Sequence, residues 1–336
     1  MVEATQVPTT LQQAIVFFAD SANCHRFMVE LRWPDGHVRC PHCNSGNVDY
    51  LPNARLFKCY ERHPRQKFSL KVGTIFEDSP IGLEKWLPAM WLLVNCKNGI
   101  SSYEVHRALG VTQKTAWFMM HRLRLALQDG EGGGLLSGEI EVDETYIGGK
   151  ARNMHAAKRD AKIKAHGVKG KAAVFGMVER GGKVRATHVA ETKKVDLQRR
   201  IRESVEAGAA IFSDQHPMYT GLDVDFKHAV INHAVEYVRG NTHTNTIENF
   251  WSLLKRGLHG TYVAVEPFHL FRYIDEQAFR YNNRTDMNDA DRFVAAMTQT
   301  TGKRVTYKEL TGKTTERDAD ASQQPEPPQE PFWEPF

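Results

Sequence analysis

Residues 138–149 read GEIEVDETYIGG, and this stretch decides how the second half of the chain is interpreted. Ile140 and Val142 alternate with Glu141, Asp143 and Thr145. That period of two predicts a strand with one apolar face and one polar, acidic face. Glu144, adjacent to Asp143, falls on the opposite face and reads as a supporting residue.

Working outward, residues 172–179 and 183–189 read as two strands around Gly181-Gly182, a hairpin signal. Residues 194–207 have an amphipathic helical pattern. A short apolar strand at 209–213 ends at Asp214, a weaker strand follows at 227–232, and helices are expected at 243–258 and 267–282. Strands interleaved with helices make the region α/β. Upstream, Gly132-Gly133-Gly134 is a break and a domain boundary. Before it, residues 11–33 read as one helix, and residues 38–76 as a Cys-rich segment with strands at 55–59 and 67–72. The pattern from 83 to 127 is helical. The domains expected are 1–78, 79–131, 135–290 and a C-terminal extension, 291–336.

The chain has 336 residues, 41% hydrophobic and 25% charged, which is globular composition and excludes a wholly disordered or collagenous protein. No apolar run approaches the ~20 residues of a membrane span, and no basic-then-apolar leader opens the chain, so a cytoplasmic, nucleoid-associated location is expected. The net charge of +4 is unevenly spread. From Lys313 onward there are six acidic residues, two basic residues and five prolines, the composition of a disordered acidic tail. The rest of the chain is basic, which hints at a polyanionic partner. Residues 150–171 hold eight Lys or Arg against the single acid Asp160, and read as a mobile loop that meets DNA or as a merely solvated one.

Three groups of residues carry chemistry. Cys40 and Cys43 form a C-x2-C pair, and Cys59 and His63 a C-x3-H pair fifteen residues on. Two short-spaced pairs of S and N ligands are what a tetrahedral zinc requires. The alternative is three buried small residues and a surface histidine. Residues 99–127 read as two helices turning at Gly110, the second capped by Thr112, which fits a helix-turn-helix or a purely structural helical pair. In the first case Gln113, Lys114, Arg122 and Arg124 would contact DNA. Finally, Asp143 lies on a polar strand face, Asp214 at a strand end, and Glu248 on a helix face shared with Asn245, Ser252 and Lys255. Three converging carboxylates could hold two divalent metals for phosphoryl transfer, with Lys255 on a phosphate. Taken alone, such acids are more often caps and turn residues.

Four motifs together resemble a known family: GEIEVDETYIGG at 138–149, SDQHPMY at 213–219, HTNTIENFWSLLK at 243–255 and FRYNNR at 279–284. They are similar to the ISXO2-like transposase domain of the IS1595 family of insertion sequences, and residues 33–76 resemble its zinc ribbon. The resemblance implies a ribonuclease-H-like mixed-sheet core preceded by a zinc ribbon and a helix-turn-helix. It further implies DDE-type transposition with Asp143, Asp214 and Glu248 on two Mg2+ and Lys255 beside them, structural Zn2+, and element-end and target DNA as partners of a homo-oligomer. Seventy residues separate the first two acids and thirty-three the second two. Many relatives close the ribbon with a second C-x2-C, where this chain has Cys59-x3-His63. A catalytically silent DNA-binding regulator and a nuclease that cleaves without joining are the rival readings.

Overall fold

The structure, a computed structural model, describes residues 7–128, 134–148, 171–231, 243–263 and 265–312. The Lys-rich stretch through residue 170 and the tail from Lys313 lie outside the described residues. The chain divides into two compact units: residues up to 128 join 285–312 in one, and residues 134–284 form the other.

In the first unit the helix expected over 11–33 is two helices, α1 (Leu11–Ala19) and α2 (Ser21–Arg32). Asp20 leaves helical geometry between them, and its carboxylate accepts the Ala22 N–H, so the break is a side-chain cap. Strands β1 (Val48–Leu51), β2 (Leu56–Cys59) and β3 (Lys67–Phe68) form an antiparallel sheet in that order. The helical stretch resolves into α3 (Leu83–Asn95), α4 (Ser102–Leu109) and α5 (Gln113–Ala126). Ser101 and Glu104 form a capping box on α4. Gly110 ends α4 in the left-handed region, at φ 59°, where glycine carries no Cβ penalty. The Thr112 hydroxyl then accepts the Thr115 N–H to start α5.

The second unit has a five-stranded mixed sheet. Its strands are β4 (Glu139–Ile147), β5 (Ala172–Glu179), β6 (Val184–Val189), β7 (Ala210–Asp214) and β8 (Lys227–Ile231), in the order β6-β5-β4-β7-β8. The first three strands are an antiparallel meander, while β7 runs parallel to β4 and β8 parallel to β7. Helix α6 (Lys194–Ser204) makes the crossover into β7. Its Leu197 and Ile201 bury one sheet face with Ile140, Val142, Phe175 and Ile211. Helices α7 (Asn245–Gly257) and α8 (Pro267–Asn282) cover the other face, where Ile247, Phe250, Leu254 and Ile274 pack on Val174, Val178 and Val184.

The chain then returns to the first unit through α9 (Asp289–Thr298) and α10 (Tyr307–Leu310). Phe293 is fully buried there, its ring 5.4 Å from Phe18, 5.5 Å from Phe27 and 5.3 Å from Trp91. Backbone bonds from Ile75 to Thr300 and from Gly302 to Gly73 fasten the segment. The α/β unit is therefore an insertion between two parts of the helical one. No helix among the described residues is long and apolar enough to cross a membrane.

Phe293→Ala removes the apolar centre of the helical unit and is expected to destabilise it by about 3–5 kcal/mol. Chemical denaturation followed by tryptophan fluorescence checks this, since Trp91 lies against the ring. An unchanged midpoint would show that residues 285–312 are dispensable for that unit.

Candidate functional site

The ribbon ligands come from two turns. Between Cys40 and Cys43 the chain reverses tightly: Cys40 N–H donates to Ser45 O, Asn44 N–H donates to Cys40 O, and Asn44 sits at φ 59°. Cys59 ends β2 and His63 follows it. Cys40 Sγ lies 3.5 Å from His63 Nε2, Cys43 Sγ lies 3.6 Å from Cys59 Sγ, and all four ligand atoms fall within 4.8 Å of one another. A tetrahedral ion with Zn–S bonds of about 2.3 Å spaces its sulfurs about 3.8 Å apart. The four side chains thus fit one zinc, and the sulfurs are too far apart for a disulfide, which needs about 2.05 Å. His42 stays outside the ligand group and donates its backbone N–H to Cys40 Sγ.

On α5, Lys114 is exposed in the first turn with its ammonium 4.9 Å from the Tyr307 ring, and Gln113 donates to Ser102 Oγ. Arg122 and Arg124 correct the expectation of a DNA-facing role. Their residues are 3% and 2% exposed. Arg122 donates to Glu77 O at 2.5 Å and lies against the Trp86 and Phe118 rings. The second half of α5 is surrounded, with Met119 through Arg124 all buried, so both arginines face the interior and Arg122 braces the helical unit.

In the α/β unit the pairing of β4 with β7 ends at Glu141↔Phe212. Asp143 and Asp214 both lie two residues beyond that rung, on parallel strands. Their carboxylates therefore share a sheet face just past the point where the ladder opens, Asp143 at the centre of β4 and Asp214 at the carboxyl end of β7. Trp251 Nε1 donates to Asp143 Oδ2 at 2.9 Å. Burial pushes the Asp143 carboxyl up to about 7; the Glu144 charge adds to this, the Trp251 bond opposes it, and Asp214 adds a smaller push. Glu144 is also raised by burial, against the pull of a 2.5 Å hydrogen bond from the buried Tyr219 hydroxyl. Asp214 Oδ1 is buried and accepts no hydrogen bond among the described residues. A buried carboxylate oxygen without a donor, among raised acids, suits a cation.

Glu248 and Lys255 occupy the first and last turns of α7. The exposed Glu248 carboxylate accepts from Thr244 Oγ1 at 3.2 Å, and Lys255 is half-buried. The three expected acids do not close on a single ion as the zinc ligands do; among the described residues only the ribbon group is that tight. Sequence reasoning missed two supporting features. Glu141 is completely buried beneath the start of α7, accepting from Thr246 and Ile247 N–H and from Arg180. Gly176, the β5 partner of Asp143, leaves room for the Trp251 indole: a Cβ there would meet Trp251 Cη2 at 2.5 Å. The only advance signals were an acid on the acidic strand face and a glycine inside an apolar strand.

Residues 135–282 match the family described as the ISXO2-like transposase domain, and residues 19–61 match the transposase zinc-ribbon domain. An uncharacterized protein in transposable element ISH50 of Halobacterium salinarum is 27% identical over 255 residues, taking in 72% of this chain and 84% of that protein. Among solved structures, a chain of the simian T-cell lymphotropic virus intasome in complex with PP2A regulatory subunit B56 gamma has a TM-score of 0.23 and 15% identity, over 51% of this chain and 61% of that one. A chain of the Mos1 strand transfer complex has a TM-score of 0.20 and 12% identity, over 90% of this chain and all of that one. Neither superposition is close enough to inform the chemistry.

Metal analysis of the purified protein is expected to give about one zinc per chain. Cys40→Ser should lose it, and His63→Cys should keep it, since four thiolates also satisfy zinc. Retention of zinc by Cys40→Ser would refute the ligand set. A second prediction concerns pH. The folded state holds Asp143 neutral to about 7, against an ordinary value of 3.8, so the group's ionisation favours the unfolded chain progressively across that interval. In metal-free buffer Asp143→Asn should gain Tm over the parent as pH rises from about 4 to about 7, with the gain level above that. A pH-independent difference would contradict the raised carboxyl.

Proposed function

Since the chain belongs to the IS1595 family of insertion-sequence transposases, we propose that it binds the ends of its element and catalyses DNA strand cleavage and transfer. The observation that carries this reading is the pair Asp143 and Asp214, in register where the β4–β7 ladder opens, one oxygen of Asp214 buried without a donor among the described residues. An antiparallel meander followed by two parallel strands, with helices on both faces, supports a ribonuclease-H-like core.

Asp143, Asp214 and Glu248 are the residues that would hold Mg2+. When bound, a pair of such ions supplies activation of the attacking oxygen and stabilisation of the leaving one. The remaining work belongs to side chains of this protein. Trp251 orients the Asp143 carboxylate, Tyr219 holds Glu144 back through a hydrogen bond, and Lys255 supplies a point charge for a phosphate. In the helical unit, α4 and α5 act as the DNA-reading pair. With Arg122 and Arg124 committed to the interior, contact falls to the first turn of α5, where Lys114 is exposed and Gln113 adjoins it. Element-end and target DNA are the partners, and pairing two ends requires more than one copy.

Cleavage of labelled element-end DNA in Mg2+, run beside a gel shift on the same DNA, tests the assignment. Asp143→Asn, Asp214→Asn and Glu248→Gln should each cut at least about 10²–10³-fold more slowly, the scale of losing a charge-stabilising group in a closed site. Binding should survive in all three, and Lys255→Ala should lose less. Near-parental cleavage by either Asp variant would overturn the site. End binding without cutting by the parent, in Mg2+ or Mn2+, would leave a DNA-binding regulator.

A further inference from the structure

Helix α7 has no cap of its own. Thr244 stands at the N-cap position but makes no capping hydrogen bond. The first-turn N–H groups of a helix need acceptors, and its N-terminus carries the positive end of the dipole. The acceptor comes instead from the first half of β4. Glu141 Oε2 takes the Thr246 N–H at 2.8 Å and the Ile247 N–H at 3.0 Å, and Oε1 takes the Thr246 hydroxyl at 2.9 Å. Arg180 Nε reaches Oε1 at 2.8 Å and His243 Nδ1 reaches it at 3.1 Å. Arg180 is itself held, with its guanidinium 4.1 Å from the Phe212 ring and a hydrogen bond to His243 O at 2.7 Å.

Two residues further along the same strand face, Asp143 accepts the Trp251 indole N–H. Two strand residues advance about 6.7 Å, and the four to five helix residues from the Thr246–Ile247 amides to Trp251 advance about 6–7.5 Å. The two attachments are therefore commensurate. Strand and helix are pinned at two points in register, so α7 can neither slide nor turn on the sheet without breaking one of them. Glu248 is the residue next to the first pin.

We propose that Glu141 is a positioning residue: by capping α7 from the neighbouring strand it sets where the Glu248 carboxylate stands relative to Asp143 and Asp214. The inference rests on the reading of those three acids as the cation site. Its role is distinct from theirs, because Thr246, Ile247, Arg180 and His243 already occupy its oxygens and its carboxylate is sealed from solvent.

The test uses the full-length chain and Glu141→Gln, which keeps the shape and one acceptor, beside the milder Thr246→Ala, which removes only the hydroxyl bond. Three quantities are read: amide exchange in the first turn of α7, Mn2+ affinity of the DNA-free protein by titration calorimetry, and kcat and KM for cleavage. In Glu141→Gln the Thr246, Ile247 and Glu248 amides should exchange faster while α6 and α8 keep their protection. Mn2+ affinity should fall about 10-fold, the low end for lost support of a metal ligand. The cleavage kcat should fall about 10²-fold, as for an ångström-scale misplacement, with KM for DNA unchanged. Thr246→Ala should move all three in the same direction by less. Parental Mn2+ affinity and kcat in Glu141→Gln, despite faster exchange, would make Glu141 a stabilising cap only and overturn the proposal. Unchanged exchange would overturn the clamp itself. Failure of the parent to bind Mn2+ or to cut would instead overturn the transposase reading.

Discussion

A carboxylate with no solvent exposure must be surrounded by donors, and Glu141 imposes that constraint on the whole α/β unit. Leaving such a buried charge unpaired costs on the order of 3–5 kcal/mol, so the groups around it are not free to drift. Those groups come from separate places in the chain: Arg180 just after β5, His243 ahead of α7, and the first-turn amides of α7 itself. One side chain on the central strand thereby ties the hairpin to the helix that bears Glu248. The cationic Arg180 balances the charge, and its stacking on Phe212 brings β7 into the same cluster.

Close packing makes the second attachment possible. A glycine inside a strand ordinarily weakens it, yet Gly176 sits in the middle of β5, opposite Asp143. The space a side chain would fill is taken by the Trp251 ring, which lies low enough on the sheet for its Nε1 to reach Asp143. The hydrogen bond lowers the cost of an ionised Asp143 while burial and Glu144 raise it, leaving a carboxyl poised near 7. A group so balanced gains from any cation placed beside it.

The helical unit shows a different use of charge. Arg122 and Arg124 lie in the second half of a helix where both are buried, and the long Arg122 side chain serves as packing with a donor at its tip. Part of the enclosure comes from residues 285–312, added after the α/β unit is complete. Lys303 donates to the carbonyls of Ala126 and Gln128, closing the end of α5. The proposed DNA-reading helix is therefore finished by chain that follows the proposed catalytic region.

What the sequence determined by itself is whatever depends on short-range periodicity and ligand spacing. The alternation around Asp143 predicted β4, the Gly181-Gly182 hairpin predicted β5 and β6, and the apolar stripe of α7 was readable at a period of 3.6. Paired C-x2-C and C-x3-H spacings brought the zinc ligands within reach of one ion, because turns of that length have little freedom to do otherwise. Tertiary structure alone decided the rest. The break at Asp20 went unread because an apolar stripe runs across it, and the cap that ends it is a single side chain. Arg122 is buried against Trp86, Phe118 and the Glu77 carbonyl, which no local pattern associates with it. The cap on α7 joins residues 105 positions apart. Glu141 reads in the sequence as one more acid on a polar strand face; only when the chain closes does that face meet the unsatisfied amides of a helix start, and the same carboxylate becomes the acceptor they lack.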